Sequence, residues 1–135
     1  MRCALILLLA LASCAKPPPE TGPTLGTYAG TGRDRLCIAR LGDGLRAGIA
    51  TYGEGISNCT AGGGLARAGD GWQLVPRGEG GCKIAFARVG ETLTVSNVPG
   101  ACSYYCAPGA TLVAKRFTRD AKASPATDFA GDPLC

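Results

Sequence analysis

No histidine occurs anywhere in the 135-residue chain. That removes the commonest general acid-base near neutral pH, the usual catalytic triad, most zinc sites with an open position, and haem attachment through Cys-x-x-Cys-His. Aromatic residues are scarce, with one Trp, three Phe and four Tyr, so any core is short of bulk. No apolar run reaches the roughly 20 residues that a membrane-spanning helix needs. No run of like charges occurs either; Lys115-Arg116 with Arg119 and Lys122 is the nearest thing, read as a solvated terminal face ahead of a patch for anionic lipid or polysaccharide. Gly55-Ile56-Ser57-Asn58-Cys59 only brushes a nucleophile elbow, and the many glycines sit in turns with no helix following to cradle a phosphate. These absences weigh against hydrolases and phosphotransferases. The expectation is a protein that is not an enzyme, holds no cofactor or metal, and binds no nucleic acid.

What is present begins at the N-terminus. Arg2 precedes an unbroken apolar stretch, Cys3 to Ala12, and small residues follow, which is the three-part layout of a secretory signal. Leu11-Ala12-Ser13-Cys14 resembles the bacterial lipobox. That resemblance implies a signal peptide over 1–13, cleavage after Ser13, and acyl chains on Cys14, enough of them for stable anchoring. Residues 14–25 then form a lipidated Cys and a tether. In Lys16-Pro17-Pro18-Pro19-Glu20-Thr21-Gly22-Pro23 proline removes amide donors and fixes φ, so neither a helix nor a central strand forms there. By the same resemblance Ala15, where retained lipoproteins often carry Asp, points to the outer membrane, facing the periplasm.

Cleavage removes Arg2 and takes the formal charge from +4 to +3. Of eight Cys, Cys3 leaves with the signal and Cys14 takes lipid, leaving Cys37, Cys59, Cys82, Cys102, Cys106 and Cys135. An even number in an exported domain reads as a disulfide framework, because the periplasm is oxidising. Three bridges are expected, each adding about 2–4 kcal/mol to a thin core. Cys59 and Cys82 flank a hairpin centred on Asp70, which suggests one bridge at its base.

Between the cysteines, short apolar runs alternate with Gly-acid turns. Residues 36–41 meet 45–52 across Gly42-Asp43-Gly44, residues 65–67 meet 72–75 across Gly69-Asp70-Gly71, and residues 82–89 meet 92–98 across Gly90-Glu91. Asp-Gly between alternating segments is a hairpin signal. Trp72/Leu74, Ile84/Phe86 and Leu93/Val95 each fall two apart on one strand face. No stretch sustains a 3.6-residue apolar period. The predicted fold over 26–119 is mainly β: a small antiparallel meander or barrel-like sheet stapled by disulfides. Residues 120–135 form a tail pinned by Cys135.

Three functions follow as expectations. The first is an anchored envelope protein, attached to the membrane through Cys14, whose β domain binds a protein or polysaccharide. The domain also resembles small periplasmic lysozyme inhibitors in size, β content and disulfides, a likeness that carries over no site residues. Its +3 charge opposes steering toward cationic lysozymes. The third is a thiol redox protein using Cys102 and Cys106, which Ser103-Tyr104-Tyr105 separates; bridges to different partners are the plainer reading. The acids Asp34, Asp43, Glu54, Asp70, Glu79 and Glu91 mostly sit in Gly-flanked turns, where a carboxylate is good turn chemistry. Tyr28, Tyr52, Tyr104 and Tyr105 either fill the core or stack on sugar rings.

Overall fold

The computed structural model describes residues 22–78 and 80–135. The signal, Cys14 and most of the tether, with Glu79, lie outside them.

Eight strands follow one another in antiparallel order: β1 (Gly26–Ala29), β2 (Arg35–Leu41), β3 (Gly44–Tyr52), β4 (Asn58–Ala68), β5 (Gly71–Pro76), β6 (Ile84–Val89), β7 (Thr92–Asn97) and β8 (Arg116–Arg119). Each pairs with its sequence neighbours, and β8 returns to β1, so the sheet closes into a barrel. Closure gives every strand a partner on both sides, so no strand is an edge strand. A short 3₁₀ helix, Gly100–Tyr105, lies in the β7–β8 connection.

The three expected hairpins form. In each, the residue at positive φ is the glycine before the acid, Gly42, Gly69 and Gly90, at 59°, 56° and 59°. Gly44 and Gly71, expected to share the turning, are already the first residues of their strands. A two-residue loop with glycine first matches the twist of its flanking strands. These tight turns define one end of the barrel. The longer connections, including the one carrying the 3₁₀ helix, lie at the other.

Strand alternation then sorts the side chains. Leu36, Ile38, Ala47, Ile49, Ala61, Leu65, Leu74, Ile84, Phe86, Leu93, Val95 and Phe117 fill the interior, all buried. Pro23, also buried, lies over them at the tight-turn end, where Arg88 Nη1 donates to the Gly22 carbonyl. The gap left among Pro23, Leu36, Trp72 and Leu93 has no room for a water molecule. Leu112 and Cys102, from the β7–β8 connection, are 1 % and 0 % exposed and belong to the same core. The barrel is a packed core rather than a ligand cup.

Six cysteines form three bridges, Cys37–Cys135, Cys59–Cys106 and Cys82–Cys102. The suggested Cys59–Cys82 bridge does not form, because the hairpin is lopsided. β5 stops at Pro76, opposite Gly63, while β4 runs back four residues further to Cys59. The space beside Cys59 is taken by the β7–β8 connection, which pairs Cys106 with it backbone to backbone.

The tail is ordered against the barrel wall. It folds back on itself between Thr127 and Pro133, and Leu134 N–H donates to the Ala126 carbonyl. Leu134 is buried on the outer face with Cys37, Ala50 and Ala126. Gly48 permits this contact, since a Cβ there would overlap the Cβ of Leu134.

Candidate functional site

Cys102 and Cys106 lead to different partners and do not bridge each other. Among the described residues, no three His, Cys, Asp or Glu side chains gather where they could hold a metal ion. Of the basic residues from Lys115 to Lys122, Lys115 turns inward to an ion pair, and Arg119 Nε donates to the Leu25 carbonyl.

Of the acids, Asp34 stands apart. It lies at the end of the β1–β2 loop, and its side chain is only 3 % exposed. Lys115 Nζ donates to Oδ2 at 2.8 Å, and the Tyr52 amide donates to Oδ1 at 2.8 Å. One carboxylate thus ties together the starts of β2 and β8 and the end of β3. Asp43, Asp70 and Glu91 occupy hairpin turns, as turn chemistry predicts.

Burying Asp34 has a consequence for its neighbours. With Asp34 turned inward, Arg33 and Arg35 both lie on the outer face, against the tail residues Ser124, Pro125 and Thr127. The Arg33 guanidinium lies over the Tyr52 ring, 4.2 Å from its centroid. Arg35 is held by three neutral oxygens: Nε donates to Ser124 Oγ at 3.1 Å, and Nη1 to the Gly32 and Asp34 carbonyls at 3.0 and 2.8 Å. Neither arginine forms an ion pair among the described residues.

Around them runs a groove of two adjoining hollows that share Arg33 and Tyr52. One, about 150 Å³, is walled by Arg35 and Ala50 on the barrel and by Ser124, Pro125 and Thr127 of the tail. The other, about 250 Å³, is walled by Gly55, Ile56 and Asn58 of the β3–β4 region and by Phe129 of the tail. None of the residues walling either hollow is acidic. Phe129 and Ile56 are 77 % and 88 % exposed. Phe129 is displayed by a turn in which Gly131 N–H donates to the Asp128 carbonyl and Asp132 N–H to Asp128 Oδ1. A further hollow beside the 3₁₀ helix, lined by Val98, Pro99, Ala110 and Leu112, carries no charged side chain.

The four tyrosines differ in burial. Tyr28 is core, Tyr52 is half-buried beneath Arg33, Tyr105 donates its hydroxyl to the Arg77 carbonyl, and Tyr104 is 85 % exposed. Sequence reasoning passed over Arg33, Arg35 and Phe129. The fold brings the tail, which carries Phe129, beside Arg33 and Arg35, and the only local trace was an acid between two arginines. Compared with known proteins, the chain matches no family model, no curated protein and no solved structure.

Proposed function

We propose that this chain is a lipid-anchored protein of the bacterial envelope whose barrel is a non-catalytic binding module, with the groove beside the tail as its binding surface. The observation that carries this reading is the separation of chain entry from groove. The described chain begins at Gly22 and Pro23 against the tight-turn end. The groove is built from the longer loops and the tail, around Arg33, Tyr52 and Phe129. A lipid on Cys14 would therefore hold the barrel with its groove turned away from the bilayer. The barrel interior is filled, so a ligand has to be taken on the outside.

The test is expression of the full chain in a Gram-negative envelope, followed by membrane fractionation and intact mass measurement. An acyl adduct at Cys14, with Cys14→Ser releasing the protein from the membrane fraction, supports the anchor. An unmodified Cys14 in a protein that fractionates with soluble periplasmic contents overturns it.

A further inference from the structure

The groove has a charge pattern that narrows its ligand. We infer that it binds an acidic saccharide, with a sugar carboxylate or phosphate held by Arg33 and Arg35 and a sugar ring laid against Phe129. The inference rests on the reading of the groove as a binding surface.

Two arginines on one wall would normally be neutralised by nearby carboxylates. Here the intervening acid, Asp34, is turned inward and matched by Lys115. Arg33 is positioned by an aromatic face and Arg35 by neutral oxygens. Both cations are therefore set in place before any ligand arrives, and their charge is uncompensated. A planar guanidinium presents paired N–H groups that match an oxyanion. The acids carried by the surrounding elements, Glu54 in the β3–β4 loop and Asp128 and Asp132 in the tail turn, do not wall either hollow. Asp128 already accepts the Asp132 amide through one oxygen.

The rest of the groove favours a sugar over a peptide. Extended peptides are commonly captured by adding a strand to a free sheet edge, whereas in the closed barrel every strand already has a partner on both sides. The groove offers instead an exposed aromatic ring, Phe129, with the Ser124 and Thr127 hydroxyls and the Asn58 amide along its walls. Aromatic faces, hydroxyls and an amide suit the apolar faces and hydroxyl rims of sugar rings.

The decisive experiment titrates the detergent-solubilised protein, as recovered from expression in a Gram-negative envelope and whatever the state of Cys14, with trigalacturonate, its methyl ester, hexaglutamate and inorganic phosphate, by calorimetry. Trigalacturonate should bind, with the neutral ester at least about tenfold weaker. Arg33→Gln and Phe129→Ala should each lower affinity by about tenfold, the size expected for losing one charge-assisted or stacking contact. Both side chains are exposed, so each variant should keep the parent melting temperature. Equal binding of hexaglutamate, with Phe129→Ala without effect, would make the groove a general acidic-peptide site and overturn the inference. Binding of phosphate alone, or of no probe, would also overturn it. Cys14 acylation and membrane attachment are measured separately, so the anchored reading survives or fails on its own data.

Discussion

Tyr28 is the one tyrosine carried into the core, 2 % exposed, with its hydroxyl donating to the Thr24 carbonyl. Burial raises its phenol above the ordinary 10.0; the nearby Arg88 and Arg119 oppose that shift without cancelling it. Because the folded state holds the proton more tightly than the unfolded chain, Tyr28 supports the fold fully below pH 10. That support is lost as pH rises through the higher folded value. Melting temperature measured from neutral pH into the alkaline range should therefore fall more steeply for the parent than for Tyr28→Phe. The variant should start lower at neutral pH by about 1 kcal/mol, for the lost hydrogen bond. Parallel curves would show that the alkaline loss arises elsewhere.

At the level of elements, the tail is the part whose position decides the groove. Gly48 is the contact that admits it, and Gly48 faces outward, so a larger residue there leaves the barrel interior untouched. Gly48→Val should lift Leu134 from its seat and lose about 1.5–3 kcal/mol of apolar burial, while Cys37–Cys135 keeps the chain attached. Hydrogen exchange should then quicken at the Leu134 amide and leave the amides of β4 and β6 protected. Unchanged exchange at Leu134 would mean that the tail tolerates the extra volume. This element also shows where sequence reading ends. The hairpins were legible because a Gly-acid pair between alternating residues is a local signal. The front half of β4 was not, since Gly62-Gly63-Gly64 interrupts its alternation. Only Gly63 is required by what approaches it, since the Val75 carbonyl would overlap a Cβ there; Gly62 makes ordinary contacts with Leu134, and nothing lies close to Gly64. Arg33 and Arg35 were hidden for the same reason, because their shared groove needs a tail about ninety residues further along the chain.

Across the whole molecule, each bridge joins segments that the barrel brings together. Cys37–Cys135 spans 98 residues, Cys59–Cys106 spans 47 and Cys82–Cys102 spans 20. Restriction of the unfolded chain alone would rank them in that order, at about 4.7, 4 and 3.3 kcal/mol. Packing in the native state changes the ranking. Cys135 is exposed and Cys37 sits in the small cluster beneath the tail, so replacing the outer pair by Ala opens no cavity in the main core. Cys59 is 0 % exposed in the main core and joins β4 to the connection that carries Leu112 and Cys102 over the barrel mouth. Removing its sulfur adds a cavity term of about 1–2 kcal/mol to the lost restriction. The Cys59→Ala/Cys106→Ala variant should therefore unfold at lower urea than Cys37→Ala/Cys135→Ala, although it opens a loop half as long. The reverse order would mean that restriction of the unfolded chain outweighs closure of the barrel mouth.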